Sequence, residues 1–189
     1  MASVFGHALV AGTAGYALTP EHSSKKFWTL AVLCSVLPDT DVLAFKVGIP
    51  YHHVLGHRGI SHSFSFAIVF GLLVAGLAYR DYFPRWPFWK LAGVFAIITA
   101  SHGLLDAMTN GGLGIAFLAP VDNTRYFLPF RPIEVSPIGI AAFFSEWGLE
   151  VLRSEWRWIG LPCVAVTGLV FVIRQALRLL SSPKQNETS

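Results

Sequence analysis

Polar, metal-competent clusters set inside long apolar blocks constrain this chain more than any other feature. His57-Arg58-Gly59-Ile60-Ser61-His62-Ser63 opens one block, and Ser101-His102-Gly103-Leu104-Leu105-Asp106 closes another. Leu37-Pro38-Asp39-Thr40-Asp41 precedes both. An imidazole or carboxylate in an apolar setting is costly unless something pairs with it. Three such segments ask for one explanation. A shared metal site at the end of a small membrane helix bundle supplies it.

The setting is apolar throughout: 53% of residues are hydrophobic, mean hydropathy is +0.54 and only 13% are charged, against about 25% in an ordinary soluble domain. The apolar residues come in blocks, so the expected fold is all-α, an integral membrane bundle of about four to five helices with a polar metal site at one end. At 189 residues the chain suggests one domain, taken as 1–182 with a polar tail at 183–189. The formal charge of +3 includes no dense Lys/Arg run, so nucleic acid is not expected as a partner. Cys34 and Cys163 lie in apolar stretches and read as small buried hydrophobes. The first residues lack a basic n-region and His7 interrupts their apolar run, so no cleavable signal is expected.

Apolar segments are expected at 4–18, 27–37, from 61 or 63 to 79, 88–109 and 158–180. The first is rich in small residues that let helices approach closely, and it is short for a span of ~20 residues. Ser23 and Ser24 are candidate N-caps for the second, and His22 reads as solvated. Past Pro38, Asp39 and Asp41 fall at the negative pole of a helix dipole, which is unfavourable without a cation. The alternative there is a simple solvated Asx turn. Residues 42–56 read as a connector, with Tyr51, His52 and His53 as second-tier groups. His57 and His62 are five apart and share no helix face, so they converge only if His57 lies in the loop ahead of the helix. Arg58 is a group to pair with a carboxylate or to hold an anionic substrate. His102 and Asp106 share a face, which suits two ligands of one metal, a ligand with its orienting carboxylate, or a plain hydrogen bond. The turn at 80–87 carries aromatics and arginines typical of interfacial anchors. Residues 113–156 read as a long irregular region containing an amphipathic stretch, 141–156, suited to the interface.

If the segments cross alternately, His7, Asp39, Asp41, His57, His62, His102 and Asp106 all fall at the same end. Lys25, Lys26, Arg80, Arg85, Lys90, Arg174, Arg178 and Lys184 gather at the other, which the positive-inside tendency makes cytoplasmic. Arg125, Arg131, Arg153 and Arg157 fall on the site side, so the bias is modest, and on balance the site is expected to face outward. Imidazole and carboxylate without thiolate suit zinc, manganese or iron, and an Asp/His mixture suits a hydrolytic centre, with Arg58 to hold an anionic group.

The motifs Leu37-Pro-Asp-Thr-Asp41, His57-Arg-Gly-Ile-Ser-His-Ser63 and His102-Gly-Leu-Leu-Asp106 resemble the bacterial membrane-bound metal-dependent hydrolase family, also described as LexA-binding, inner-membrane-associated hydrolases. The match spans about residues 1–140. That family is distantly similar to zinc-dependent phospholipase C. The resemblance implies metal ligation by His7, Asp39, His62, His102 and Asp106, with Asp41 and His57 as further candidates. It also implies a multi-pass protein of the inner membrane that uses zinc, or manganese, on a lipid or other phosphoester, with Arg58 and Asp41 in catalytic roles. The phospholipases add a later His-x-x-x-Glu; here no histidine follows His102, so one or two metals are expected rather than three. Two other functions fit the same groups: a non-catalytic membrane or regulatory protein with a structural His/Asp site, and a metal-ion transporter.

Overall fold

A computed structural model describes residues 1–19 and 24–181. The expectations for His22, Ser23 and the 183–189 tail lie outside the described residues. Helix α1 (Val4–Leu18) starts at Ser3, whose hydroxyl accepts from the Gly6 N–H. Helix α2 (Lys25–Val36) is capped in the same way by Ser24, accepting from Phe27, and α3 (Phe64–Ala78) by Ser63, accepting from Phe66 at 3.0 Å. A side-chain oxygen at these positions satisfies a backbone donor that the first helical turn leaves free. Helix α4 (Trp86–Ala107) carries Pro87 in its first turn, where a missing N–H costs nothing. A short α5 (Ile140–Phe143) precedes α6 (Glu146–Glu155) and α7 (Leu161–Ser181). Among the described residues the fold is all-helical, with two isolated bridges and no named strand.

Three local outcomes differ from the sequence expectation. After α2 the chain does not leave helical geometry at Pro38. It tightens into a 3-10 helix, Leu37–Val47, that takes up much of the expected connector and stops at Gly48, a left-handed residue at φ 81°. Proline is tolerated at the first turn of such a helix, and glycine ends it without Cβ strain. Second, the amphipathic stretch and the last apolar segment are one continuous 36-residue helix, Glu146–Ser181. A π turn at Trp156–Gly160 joins its halves, and a Cβ on Gly160 would lie 2.6 Å from the Trp156 ring. Third, the region after α4 is long but ordered. Thr109 pairs with Ile133 and Ile115 with Tyr126, the Leu128 N–H donates to Ala107 O, and Ile115 and Ile133 are fully buried.

Among the described residues, two helices are long and apolar enough to cross a bilayer, Trp86–Ala107 and Glu146–Ser181, and α1 and α3 are shorter apolar helices. Packing follows the rule for lipid-facing bundles: small residues inside, large apolar residues outside. On α3 the buried residues are Ala67, Gly71 and Ala75, one helical turn apart, while Ile68, Val69, Leu72 and Leu77 are exposed. A Cβ on Gly71 would fall 2.6 Å from Ala96 N and 2.7 Å from Ala92 O, so the α3 and α4 backbones nearly touch. On α1, Gly15 admits the Trp28 ring in the same way. Phe27, Leu91, Phe95 and Ile98 fill the remaining core. Gly71→Val is therefore expected to force α3 off α4 and to cost ~1–3 kcal/mol, read as a lower Tm in detergent. An unchanged Tm would mean that this close approach stabilises nothing.

Candidate metal centre

Four separate elements deliver the polar residues. His7 comes from the first turn of α1, and Asp39 and Asp41 from the 3-10 helix after α2. His62 ends a 3-10 turn, Ile60–His62, just ahead of α3, and His102 and Asp106 lie one turn apart on α4. His7, Asp39, His62, His102 and Asp106 are all buried.

Donor atoms of Asp39, His62, His102 and Asp106 lie within 4.8 Å of one another. His62 Nε2 and His102 Nε2 are 3.0 Å apart. Asp39 Oδ1 is 3.3 Å from His102 Nε2 and 3.7 Å from His62 Nε2, and Asp106 Oδ2 is 3.7 Å from His62 Nε2. The His7 ring stacks on His102 at 3.8 Å between centroids, with its Nε2 3.4 Å from Asp106 Oδ1.

The outward hydrogen bonds of the two imidazoles decide what the centre wants. His102 Nδ1 is 2.6 Å from the Ser35 carbonyl, which can only accept, so Nδ1 carries a proton and, in the neutral ring, Nε2 a lone pair. His62 Nδ1 is 3.2 Å from Asp41 Oδ2, again an acceptor. A neutral His62 therefore also turns a lone pair inward. Two lone pairs at 3.0 Å repel unless a cation lies between them. Two nitrogens bound ~2.0–2.1 Å from a tetrahedral zinc stand about 3.3 Å apart, so a divalent metal fits this gap as a proton does. Among the described residues, both Asp39 oxygens, Asp106 Oδ2 and both His7 ring nitrogens have no hydrogen-bond partner. Buried carboxylate oxygens without donors are unfavourable in an apolar bundle, and a cation satisfies them. The donor set thus fits a divalent ion.

Asp41 and His57 form a second, outer layer. Asp41 Oδ1 meets His57 Nδ1 at 2.6 Å, and Asp41 Oδ2 accepts from Ser61 Oγ at 2.5 Å and from the Arg58 N–H at 3.1 Å. Asp41, His57 and His62 also make a group of metal-ligand geometry. The Asp41 oxygens, however, are already supplied with donors, so the carboxylate orients His57 and His62 as carboxylates beside ligating imidazoles do. Burial alone would raise the Asp39 and Asp41 carboxyls; the adjoining imidazoles outweigh it and hold both well below the ordinary range. Burial alone would lower His62; the Asp106, Asp39 and Asp41 carboxylates outweigh it and raise it to about 10.

Arg58 takes the first of its two expected roles. It is fully buried, with its backbone in the left-handed region at φ 64°, a conformation that costs a non-glycine residue roughly 1–3 kcal/mol. Its Nε lies 3.2 Å from Asp106 Oδ2, Nη1 donates to Gly111 O at 2.7 Å and Nη2 to Thr109 Oγ1 at 2.9 Å. The guanidinium thus compensates a buried carboxylate. His52 and His53 are exposed and stand apart from the cluster; His53 Nδ1 accepts from the Leu55 N–H.

Sequence reasoning missed two further buried or clamping groups. Glu155 is buried and accepts from both the N–H and the hydroxyl of Ser3, and the neighbouring Ala2 N–H donates to Asp106 Oδ1 at 2.6 Å. Its signal was an acid at the edge of the last apolar segment. Arg125 donates to the His57 and Tyr51 carbonyls, each at 2.9 Å, and pins the loop that carries His57. Nothing in its local sequence marks that role. A cavity of about 300 Å³ reaches the centre's edge, with Tyr51, His57, Arg58 and Trp147 in its wall.

These features define a small helical membrane protein with a buried carboxylate–imidazole centre. Relatives support the membrane assignment. Over residues 1–178 the chain matches the family described as YdjM inner membrane protein, and it belongs to that family. It is 33% identical over 177 residues to the inner membrane protein YbcI of Escherichia coli (strain K12), covering 90% of this chain and 98% of that relative. No solved structure matches it significantly.

Proposed function

We propose that this chain is a multi-pass inner-membrane, metal-dependent hydrolase acting on a phosphoester of a lipid or another membrane-proximal substrate. The observation that carries the reading is the facing pair of Nε2 atoms, 3.0 Å apart, beside Asp39, whose two oxygens lack hydrogen-bond donors, and Asp106 Oδ2, which lacks one too. Asp39, His62, His102 and Asp106 would hold the ion, with His7 beside them. Zinc is the expected metal, with manganese the alternative, since thiolates are absent from this donor set. Such an ion supplies Lewis-acid activation of water and of a phosphoryl oxygen. The Ser35 carbonyl and Asp41 fix the tautomers of His102 and His62. Arg58 offsets the charge of Asp106. His57, buried, anchored on Asp41 through Nδ1 and in the wall of the cavity, is the group placed to move a proton. The Lys/Arg distribution supports this end facing outward by a modest margin, since Arg125, Arg131, Arg153 and Arg157 lie on the site side.

A structural or regulatory metal is the second reading. It is favoured by burial: Asp39, His62 and His102 do not line the 300 Å³ cavity, which ends at His57 and Arg58. Closed, all-protein coordination is the mark of structural sites.

Metal content of the detergent-purified protein, beside a His102→Ala/Asp106→Ala variant, tests both. About one equivalent of metal is expected in the parent and none in the variant. Phosphodiester turnover that disappears with the metal supports the hydrolase. Metal with no turnover across phosphoesters, but a Tm that falls on chelation, supports the structural role. A folded parent that takes up no metal after reconstitution overturns both readings.

A further inference from the structure

The last long helix carries an acid that the centre's ligand set does not include. Glu155 is buried in the helix Glu146–Ser181, a setting in which a carboxylate is rare and needs a partner or a function. The backbone arranges its place. Gly148, Val151, Glu155, Ile159 and Cys163 are all buried, at a gap of three residues and then repeated gaps of four. A helix of 3.6 residues per turn drifts off a row of repeated fours, and the wider π turn at Trp156–Gly160 absorbs the drift. Glu155 therefore stays on the face that meets α1. Gly6 of α1 leaves room for it, since a Cβ there would lie 3.1 Å from the Glu155 carboxyl carbon.

We infer that Glu155 is a positioning residue of the metal centre, which holds Ser3 so that His7 and the Ala2 donor of Asp106 are aligned toward the ion. Ser3 is extended and precedes the helical ladder of α1, so its bonds to other elements fix its place. It gives both of its donors to Glu155, the N–H to Oε1 and the hydroxyl, at 2.5 Å, to Oε2. Hydrogen bonds to an ionised carboxylate are roughly twice as strong as neutral ones, and a two-point contact fixes orientation as well as distance. The effect runs both ways along the chain. Ala2, the preceding residue, donates to Asp106 Oδ1 at 2.6 Å. In the other direction the Ser3 carbonyl accepts from the His7 N–H at 3.1 Å, and its hydroxyl accepts from Gly6. His7 in turn stacks on His102 and brings Nε2 within 3.4 Å of Asp106 Oδ1. A carboxylate on the last helix thus aligns groups on α1 and α4. The inference deepens the proposed metal centre and rests on that reading for the ion.

Zinc and cobalt binding by the full chain in detergent tests it, with Glu155→Leu beside the parent. Leucine keeps most of the bulk and leaves both Ser3 donors without an acceptor. The Kd for each metal, measured by competition with a chelator, should rise about tenfold or more, as it does when a metal site loses a supporting contact. The visible absorption of bound cobalt, which reports ligand geometry, should change with it. Glu155→Gln should restore both readouts, because the amide carbonyl accepts from the Ser3 N–H and the Ser3 hydroxyl reverses to accept from the amide nitrogen. Arg174 donates to the Tyr16 and Ala17 carbonyls and ties the far end of α7 to α1, so the helix pair holds without Glu155. Should Glu155→Leu still fail to fold, Gly6→Ala takes its place. It removes no polar group and favours the helix, yet its Cβ displaces the carboxylate from Ser3 and should weaken binding in the same direction. A parent-like Kd and cobalt spectrum in the folded variant overturn the inference and leave the metal centre standing. Failure of Glu155→Gln to restore binding overturns it as well, by tracing the loss to charge rather than to the hold on Ser3. A folded parent that takes up neither metal overturns both the inference and the centre.

Discussion

Asp106→Ala is expected to lower the stability of the metal-free protein by ~3–5 kcal/mol, the range for removing one partner of a buried ion pair. Asp106 is fully buried and ties α4 to the chain start, to α1 and to the loop that carries Arg58 and His62. It accepts from the Ala2 N–H, lies 3.2 Å from Arg58 Nε and approaches His7 and His62. Without it the Arg58 guanidinium stays in an apolar interior with no carboxylate. Asp106→Asn keeps an acceptor for Ala2 but loses the charge, so it should fall between alanine and the parent. The double variant Asp106→Ala/Arg58→Met removes both charges and should recover most of the loss, because replacing a buried pair by apolar groups is often neutral. Unfolding curves in one detergent measure all four proteins. Full stability in Asp106→Ala would mean that the carboxylate is not compensating Arg58. A double variant no better than the single would trace the loss to packing.

Metal binding should tighten as pH rises from about 6.5 to about 10, by up to about tenfold per unit if one proton is released. The metal-free centre keeps its two facing nitrogens together with a proton on His62, whose folded pKa is raised to about 10. A metal must displace that proton. The sign for folding follows from the same shift. A group raised above its ordinary value, ~6.5 for histidine, stabilises the metal-free fold fully below that value, and this contribution is lost as pH climbs toward 10. The metal-free protein should therefore weaken on alkalinisation while the loaded protein does not, so the rise in Tm on adding zinc should grow with pH. A zinc-induced rise that is constant with pH would place the ion somewhere other than between His62 and His102. The depressed carboxyls of Asp39 and Asp41 act at the other limit. Their contribution is present above the ordinary carboxyl range and is lost only as the solution becomes strongly acidic.

The helical bundle was legible because its causes are local. Long apolar blocks and Ser24 and Ser63 at helix starts act through residues a few positions apart, and α1, α2, α3 and α4 begin and end close to where those signals fall. The composition of the cluster was legible as well, since a His or Asp in an apolar block needs a partner wherever the chain goes. The four-residue spacing put His102 and Asp106 on one face of α4, and alternation of the segments brought His7, Asp39 and His62 to the same end. Local signals also misled where two were in competition. Pro38 reads as a stop, yet it sits in the first turn of the 3-10 helix Leu37–Val47, where a missing N–H is tolerated.

What each polar residue does was decided by contacts between positions far apart in the chain. Asp39 and Asp41 are two residues apart and look equivalent. In space one turns bare oxygens toward His62 and His102, and the other is filled by donors from His57, Arg58 and Ser61. Arg58 had two open roles until Asp106, Thr109 and Gly111 surrounded it. The tautomer of His102 depends on a backbone carbonyl, that of Ser35, which has no side-chain signature at all. Sequence determines which groups must be satisfied, because desolvation cost belongs to the residue; tertiary structure decides which of them satisfy one another and which are left turned inward for a cation, because hydrogen-bond geometry belongs to the fold.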